Sequence, residues 1–301
     1  MMKEPYVAVI ITTYNNIADL KKAINSVEKS NYTNYFIVIA DDGSSKTIQS
    51  SIINLYRSNP NIIITISKSN LGFPANANNG ANEALKKEAE LLFFINNDVV
   101  IDKNCIKELV KVFQDETVAI AGPKVYLGKT NRLNLAGGYF NWKYIKSYHR
   151  GGGEEDKNQY NKRERVEFIM GCALMIRAKL FEKFGRFDEK YFVYGDDEDL
   201  CYQALKQNYK IIYEPKAIAY HEHAKTIGKN SRLSLYHFVR NRLYFSKKYG
   251  NFKILILNIY WVFKTHYWRI LKDFVKNNII FFKAIIDFFK NRMGKREIKH
   301  K

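Results

Sequence analysis

The first 115 residues alternate between short apolar runs rich in β-branched residues and longer amphipathic stretches. The apolar runs predict strands at 6–12, 35–40, 62–67 and 91–95. Apolar residues at helical spacing predict helices at 17–29, 46–57, 75–87 and 103–114. Strands that alternate with helices of this length form βαβ units, so we expect an α/β fold with a mostly parallel sheet. Ligands of such sheets bind at the carboxyl ends of the strands.

Three of the predicted strands run directly into polar clusters, at 12–15, 41–44 and 96–98. Each cluster alone is compatible with a turn, because Asp, Asn and Gly favour turns. Together they converge on one crevice. Thr12, Tyr14 and Asp42 suit a pocket for a base and a ribose. Asp98 supplies a hard oxygen ligand for a divalent cation whose other ligands are phosphates and water.

The most informative stretch is 187–200, where four consecutive acids occupy positions 196–199 ahead of a predicted helix at 200–207. Acids at a helix N-terminus interact favourably with the helix dipole, which accounts for one or two of them. Crowding of like charges raises the pKa of a carboxyl group toward the range of a general base. This stretch therefore predicts a catalytic base.

Two further features each leave two interpretations open. His221 and His223 lie two residues apart, so in a strand both face the same side, which fits a metal site or a structural role. Between the glycines at 137–138 and 151–153 lie four aromatic side chains that fit an acceptor site or ordinary loop packing. They are Trp142, Tyr144, Tyr148 and His149.

Composition and charge restrict the class of protein. At 301 residues and 46% hydrophobic content the chain is long and apolar enough to form a folded core. Three widely spaced cysteines fit neither a disulfide framework nor a zinc site, which indicates a reducing compartment. The apolar run at 7–11 is too short for a signal peptide or a membrane span, so we expect the protein to stay on the side where it is made.

The positive charge is concentrated near the C-terminus. Residues 225–301 contain 19 lysines and arginines and three acids, which gives +16 of the net charge of +19. Such a tail binds an anionic surface, either nucleic acid or acidic lipid. Helical stretches here interleave aromatic and basic residues, a pattern typical of helices that lie in the headgroup plane. The alternative is helices that pack on the catalytic domain with a solvated charged face.

The order and spacing of several motifs resemble glycosyltransferase family 2, and within it the bacterial rhamnosyltransferase-like branch. The resemblance extends over residues 7–249. It is carried by the segments 10–15, 41–44, 96–98, 171–173 and 187–201, together with Asn70, Gly72, Phe73, Asn78 and Gly80.

The resemblance implies a GT-A fold with a Rossmann-like sheet, and an inverting transfer of a sugar from a nucleotide-diphosphate donor. The implied donors are dTDP-rhamnose or a UDP-sugar, and the acceptor is a hydroxyl of a lipid-linked or polysaccharide molecule in cell-surface glycan synthesis. The implied residues are Thr12, Tyr14, Asp42, Asn78 and Asn97 for the nucleotide sugar, Asp98 and His221 for Mg²⁺ or Mn²⁺, and Asp197 with its neighbour Asp196 for catalysis.

From these features we expect a glycosyltransferase domain at 1–229, with a nucleotide-binding half at about 1–120 and an acceptor half at about 121–229. Residues 230–301 form a helical extension that associates with the inner face of the cell membrane from the cytoplasm. A nucleotidyltransferase is one alternative, but 12–21 lacks the glycine-rich basic loop that binds triphosphate. A nucleic-acid-binding protein is the other, but it leaves the acids at 196–199 unexplained, so no nucleic acid partner is expected.

Overall fold

The computed structural model describes residues 4–144, 146–222, 232–272 and 274–296, with only the backbone described at 265–272 and 274–278. His223 therefore lies outside the described residues. The strands are β1 (Val7–Thr13), β2 (Tyr35–Asp41), β3 (Ile62–Ile66), β4 (Leu91–Asn96), β5 (Val99–Ile101), β6 (Val118–Leu127), β7 (Leu133–Leu135), β8 (Gly138–Asn141), β9 (Lys146–His149), β10 (Glu164–Val166), β11 (Ala173–Arg177) and β12 (Lys210–His221). The helices are α1 (Ile17–Glu28), α2 (Lys46–Tyr56), α3 (Phe73–Lys86), α4 (Cys105–Val112), α5 (Ala178–Lys183), α6 (Asp196–Lys206), α7 (Arg232–Tyr249), α8 (Phe252–Lys272) and α9 (Phe274–Phe289).

One mixed sheet organises the molecule, with the strand order β10-β12-β6-β11-β4-β1-β2-β3. Strands β3, β2, β1 and β4 are parallel, and β11 is antiparallel to both β4 and β6. Strand β5 adds to β12 and β7 to β6, while β8 and β9 form a separate hairpin. The predicted α/β fold with a mainly parallel sheet is confirmed. Residues 118–221, for which no strand is predicted from the sequence, supply β6 to β12.

Helices cover both faces of the sheet, so its central strands are buried on both sides and read as continuous apolar runs. Every residue of β1 is buried. Alternate residues of β1 face opposite layers: Val9 packs with α1 and α4, and Ile10 packs with α3, α5 and α6.

Small residues let α3 approach the sheet closely. A Cβ atom on Gly80 would lie 2.6 Å from Cγ2 of Ile10 and 3.2 Å from Cβ of Ala40, so only glycine fits at this crossing. Ala77 and Ala81 on the same face are fully buried. The close approach brings the N-terminus of α3 next to the carboxyl ends of β1 and β2.

The C-terminal helices contribute to the core of the sheet domain. The Phe245 ring of α7 stacks on Phe140 of the hairpin, with ring centroids 6.2 Å apart. Helices α8 and α9 pack against α7 in turn. The boundary at 229/230 stays a prediction, but α7 shares its packing with residues on the N-terminal side of that boundary. Within the described part of the chain, each helix is too short or too polar to span a bilayer.

Candidate active site

The carboxyl ends of β1, β2 and β4 meet at one edge of the sheet. Thr13 pairs with Asp41 of β2, and Thr12 pairs with Asn96 of β4. Asn97 ties the edge together, because its Nδ2 donates to Oγ1 of Thr13 at 2.9 Å and its backbone N donates to the Thr12 carbonyl at 3.1 Å. The structure thus brings together the three polar clusters. Tyr14 follows directly and is half-buried.

The two acids of the β2 cluster have different partners. Asp41 faces its own turn and accepts from the backbone N of Ser44 at 3.0 Å. Asp42 faces the loop before α3, where its Oδ1 accepts from Leu71 N at 2.6 Å and its Oδ2 accepts from Gly72 N at 3.0 Å. Burial raises the pKa of Asp42 to about 6, although the two backbone hydrogen bonds oppose the shift.

Asn78 makes its contacts with the segment before α6. Its Nδ2 donates to the Phe187 carbonyl at 2.9 Å and to Oε1 of Glu189 at 3.0 Å, and its Oδ1 accepts from Phe187 N at 3.2 Å. The structure therefore does not place Asn78 with the strand-end clusters. Asn76 of α3 does reach the end of β2, where its Nδ2 donates to the Ala40 carbonyl at 2.7 Å. Sequence reasoning missed Asn76, and a contact between Asn78 and a nucleotide sugar stays a prediction.

Asp98 and His221 lie face to face at the ends of β4 and β12. The His221 Nε2 is 3.3 Å from Oδ1 of Asp98, and both residues are buried. The pairing of β5 with β12 fixes this geometry, since Val99 lies opposite His221. Burial lowers the pKa of His221, but the Cys172 sulfur and the Asp98 carboxylate outweigh it and raise the pKa to about 10. The Nδ1 of His221 is 3.0 Å from Nδ2 of Asn134.

These two side chains fit a divalent cation. A carboxylate oxygen and an imidazole nitrogen suit Mn²⁺, and Mg²⁺ uses one or two carboxylates with phosphate oxygens and water. An Asn134 amide turned to present its oxygen would accept from Nδ1 of His221 and leave Nε2 for the metal. Among the described residues, no group of three or more His, Cys, Asp or Glu side chains gathers to hold a metal. A cation here would depend on ligands from the substrate.

The four acids at 196–199 form the first turn of α6 and divide into different environments. Asp197 accepts from Gly171 N through Oδ2 and from Glu198 N through Oδ1, each at 2.9 Å. Burial raises the pKa of Asp197. Burial and the Asp197 carboxylate raise the pKa of Asp196 well above its ordinary value. These two carboxyl groups therefore titrate as a pair.

Asp199 has a structural role. Its carboxylate accepts from the hydroxyls of Tyr191 and Tyr249 and from Nζ of Lys248, each at 2.8 Å. Glu198 points the other way, toward the β8–β9 hairpin, where it accepts from the hydroxyl of Ser147. Glu198 and Asp199 thus connect α6 to neighbouring elements, whereas Asp197 is held by Gly171 and its own turn and Asp196 is buried beside it.

The loop ahead of the acids is held in a strained backbone conformation by α7. Phe192 and Tyr194 have φ values of 66° and 64°, in the left-handed region that side chains disfavour. Nδ2 of Asn241 donates to the carbonyls of Tyr191, Val193 and Tyr194 at 2.7 to 2.9 Å. Such strain persists where surrounding contacts over-determine the backbone. Sequence reasoning missed Asn241, because it stands between Arg240 and Arg242 in a stretch that reads as a basic tail.

Gly171 and Cys172 lie in contact with the strand-end residues, with His221 and with Asp197. A Cβ atom on Gly171 would lie 3.3 Å from Cβ of Asp197 and 3.7 Å from the ring of Phe73, the residue after the Asp42-bound loop. The Cys172 carbonyl accepts from Asn96 N at 3.1 Å, and its sulfur adjoins His221. Through Gly171, Cys172 and Phe73 the Asp42-bound loop, Asp197 and the Asp98–His221 pair are therefore linked by direct contacts.

The aromatic side chains of the hairpin lie beside the acidic segment. Trp142 and Tyr148 are 49% and 52% exposed, so both rings are accessible to a ligand. Nε1 of Trp142 donates to Oε1 of Glu167 at 3.1 Å, and His149 stacks on Phe168 with centroids 5.5 Å apart. Both predicted uses, acceptor binding and loop packing, are compatible with these contacts.

Comparison with known proteins identifies the family. Residues 8–185, more than half of the chain, match Glycosyl transferase family 2. The chain therefore belongs to glycosyl transferase family 2, as the motifs indicate. It is 24% identical over 221 residues to a pre-mycofactocin glycosyltransferase of Mycobacterium tuberculosis, covering 72% of this chain and 43% of that protein. It is 26% identical over 230 residues to the O-antigen chain rhamnosyltransferase WbaN of Salmonella anatum, covering 74% of this chain and 68% of that protein.

Solved structures show the same fold. GalNAc-T7, solved with UDP, GalNAc and Mn²⁺, superposes with a TM-score of 0.65 at 17% identity, over 80% of this chain and 48% of that one. The mannosyltransferase PcManGT of Pyrobaculum calidifontis, solved with GDP-Man and Mn²⁺, superposes with a TM-score of 0.60 at 15% identity, over 95% of this chain and 74% of that one. The expected GT-A fold is confirmed. The chain spans less than half the length of the pre-mycofactocin glycosyltransferase.

The raised pKa of Asp42 predicts a pH dependence of stability. The folded carboxyl has a pKa of about 6 against an unfolded value of 3.8, so the folded state holds the proton more tightly and loses stability as pH rises from 4 through 6. Asp42→Asn cannot ionise. Its free energy of unfolding, minus that of wild type, should therefore increase by up to about 3 kcal/mol between pH 4 and pH 7. Urea denaturation at several pH values measures the difference.

Asp115→Asn is the control for this prediction. The Thr117 hydroxyl and Lys210 lower the pKa of Asp115, so this variant should lose stability relative to wild type as pH rises, or show no drift. If the difference in free energy of unfolding between Asp42→Asn and wild type stays constant with pH, the raised pKa of Asp42 is contradicted.

Proposed function

We propose that this protein is an inverting glycosyltransferase that moves a sugar from a nucleotide-diphosphate donor to an acceptor hydroxyl in glycan synthesis. The observation that carries the proposal is Asp197, a half-buried carboxylate held by two backbone N–H groups, one of them from Gly171, next to the strand-end polar residues. Membership of glycosyl transferase family 2 supports it. The rhamnosyltransferase WbaN among the relatives favours dTDP-rhamnose, and a UDP-sugar is the other candidate.

The nucleoside of the donor binds at the ends of β1 and β2 in this proposal. Tyr14 offers a half-buried ring for stacking, and Asp42 offers a carboxylate whose lone pairs are only partly used by Leu71 and Gly72. Thr12 and Asn97 lie toward the ribose and the diphosphate. Asn78 is proposed to contact the nucleotide sugar, and in the free protein its amide is engaged by Phe187 and Glu189.

Asp98 and His221 hold the divalent cation, Mg²⁺ or Mn²⁺. When bound, the cation stabilises the negative charge that develops on the leaving nucleotide diphosphate. Ligation requires a neutral imidazole, so metal binding would compete with protonation of His221. The PcManGT and GalNAc-T7 structures contain Mn²⁺, which supports use of a divalent metal in this fold.

Asp197 is the general base. It takes the proton of the acceptor hydroxyl as that oxygen forms its bond to the anomeric carbon and the bond from that carbon to the diphosphate oxygen breaks. Attack opposite the leaving group inverts the anomeric centre. The raised pKa of Asp197 suits this role, because a base works best when its pKa lies near the working pH. The neighbouring Asp196 makes it unfavourable for both carboxyl groups to be ionised at once, so the pair binds a proton more tightly than either group would alone.

Asp197→Asn should lower the turnover number about 10²-fold to 10⁴-fold while donor binding is kept, because the amide still accepts a backbone hydrogen bond but cannot take a proton. Transfer to a lipid-linked acceptor, assayed with a panel of nucleotide sugars, measures turnover, and calorimetry measures donor binding. Asp115→Asn, remote from the site, should keep full activity. An Asp197→Asn protein that transfers sugar at the wild-type rate would remove the assignment.

Asp98→Asn should abolish the increase in melting temperature that Mn²⁺ gives in the presence of nucleoside diphosphate. The reason is that the carboxylate supplies half of the protein ligands, and the amide is a much weaker ligand. Differential scanning fluorimetry with UDP or dTDP, with and without Mn²⁺, makes the measurement. Asp102→Asn, on the nearby surface, is the matched control. A Mn²⁺-dependent shift of unchanged size in Asp98→Asn would place the metal elsewhere.

The protein is proposed to work on the cytoplasmic face of the cell membrane, bound to anionic lipid through α8 and α9. Large apolar side chains form one exposed stripe on each helix, and the stripes meet where Phe263 and Phe282 lie 6.1 Å apart. This α8–α9 apolar face comprises Phe252, Ile256, Tyr260, Phe263, Ile279, Phe282, Ile286 and Phe289. Exposed lysines at 253, 264, 283 and 290 accompany it, which suits a helix pair lying among acidic headgroups.

Replacing Phe282 and Ile286 together by Glu should reduce binding to vesicles that contain phosphatidylglycerol by at least about 10-fold. Each buried side chain contributes roughly 1.5 to 3 kcal/mol, and the new carboxylates also repel the anionic surface. Co-sedimentation measures the bound fraction. Leu55→Glu, at an exposed apolar residue of α2, should bind like wild type. Equal sedimentation of a folded double variant would exclude this face as the membrane contact.

A further inference from the structure

A buried arginine beside the acidic segment has one N–H group without a partner. Arg242 of α7 has a side chain only 4% exposed. Its Nε donates to Oδ1 of Asn258 at 2.9 Å, and its Nη2 donates to the Tyr144 carbonyl. Its Nη1 has no hydrogen-bond partner among the described residues, and Oε2 of Glu198 is 3.6 Å away. Buried polar groups are rarely left in this state, so the unpaired donor calls for a ligand.

A second cation lies next to Arg242. Lys146 of the hairpin places its Nζ 3.8 Å from the centroid of the Trp261 ring on α8. Partial burial and the Arg242 charge lower the pKa of Lys146, with Glu198 opposing them. Glu198 is the one acid that acts on both cations, and it already accepts from Ser147. Two cations thus face one shared carboxylate, and Glu198 divides its charge between them.

The geometry suits a phosphate group. Arginine binds phosphate oxygens through its planar fork of N–H donors, and lysine adds a mobile point charge. The guanidinium donates hydrogen bonds to Asn258 and to the Tyr144 carbonyl. These two bonds fix its orientation, so Nη1 is in place before any ligand binds. Lys146 remains partly exposed, which gives the pair an open side.

Its position links two parts of the proposed mechanism. Glu198 follows Asp197 and donates its backbone N to Oδ1 of Asp197, so the cationic pair lies one residue from the proposed base. Trp261 belongs to α8, the helix that carries half of the α8–α9 apolar face. An anion held by Lys146 and Arg242 would thus lie between the base and the surface proposed to contact lipid.

We propose that Lys146 and Arg242 bind the diphosphate of a lipid-linked acceptor, with its lipid along α8 and its sugar hydroxyl at Asp197. The inference rests on the proposed function, because it assigns the acceptor of that reaction to the polyprenyl diphosphate class. It also gives the β8–β9 hairpin and α7 a role in binding the acceptor, whereas the donor is proposed to bind at the ends of β1 and β2.

Binding of farnesyl diphosphate to the full chain tests this assignment without depending on catalysis. Titrations are made in excess dTDP or UDP with Mn²⁺, so that the nucleotide occupies the donor site. Lys146→Gln should weaken binding about 10-fold to 100-fold, as expected for loss of a charged contact to phosphate. Lys143→Gln, an exposed lysine of the same hairpin, is the matched control and should bind like wild type. Farnesol should bind weakly and equally to all three proteins.

Arg242→Gln is a second test variant. Because Arg242 is buried, a melting curve is recorded to establish that this variant is folded. Its loss of farnesyl diphosphate binding should match or exceed that of Lys146→Gln. In transfer assays Lys146→Gln should raise KM for the acceptor and leave KM for the donor unchanged.

Equal farnesyl diphosphate binding by wild type and Lys146→Gln would overturn the proposal. So would a Lys146→Gln variant that loses binding to phosphatidylglycerol vesicles but keeps binding to farnesyl diphosphate, since the pair would then hold membrane headgroups. If Asp197→Asn transfers sugar normally while Lys146→Gln loses farnesyl diphosphate, the proposed base fails and the diphosphate site stands.

Discussion

The candidate site depends on two carboxylates held by backbone N–H groups, Asp42 buried at the carboxyl edge of the sheet and Asp197 half-buried in the first turn of α6. Asp42 accepts from Leu71 and Gly72, and Asp197 accepts from Gly171 and Glu198. Backbone donors fix the position of a carboxylate without neutralising its charge. Burial therefore still raises the pKa of both groups. The fold thus keeps two acids in place and ready to exchange protons or to accept from a ligand.

The same constraint explains why the surrounding loops contain glycine. Gly72 has a φ of 90°, and a Cβ atom there would lie 2.3 Å from the Phe192 carbonyl oxygen, so no other residue allows this loop to reach Asp42. Gly171 brings its N–H to Asp197, and a Cβ atom there would make a tight contact of 3.3 Å with Cβ of Asp197. The polar contacts of the site require close approach of backbone to backbone, and small residues make that approach possible.

The sequence was sufficient to predict the parts of the site that follow strands. A parallel sheet brings the carboxyl ends of its strands to one edge, so Thr12, Asp42 and Asn97 converge whatever the details of the loops. The length of α3 and the start of α6 were less certain from the pattern. The helix predicted at 200–207 begins at Asp196, because the acids themselves form its first turn.

The tertiary contacts of the residues on α3 and α7 could not be predicted from the local sequence pattern. Asn78 and Asn76 lie on one helix two positions apart, and only the packing of α3 decides that Asn76 contacts a strand end while Asn78 contacts Phe187. Asn241 and Arg242 lie in a stretch that reads as a basic tail. Their burial depends on α7 crossing the acidic segment more than 40 residues earlier in the chain, a contact that no periodicity encodes.

The C-terminal helices therefore do more than add charge to the molecule. Asn241 holds the strained loop at 191–194, and Lys248 and Tyr249 hold Asp199, so the first turn of α6 is oriented from the side of α7. Asn258 of α8 fixes Arg242 in turn. Because α8 also carries exposed apolar residues, the surface proposed to meet lipid and the acids proposed to catalyse are connected through two packed helices. If α8 and α9 bind a bilayer as proposed, this packing would set the height of the acidic segment above it, and with that the height at which an acceptor anchored in the bilayer would have to present its hydroxyl.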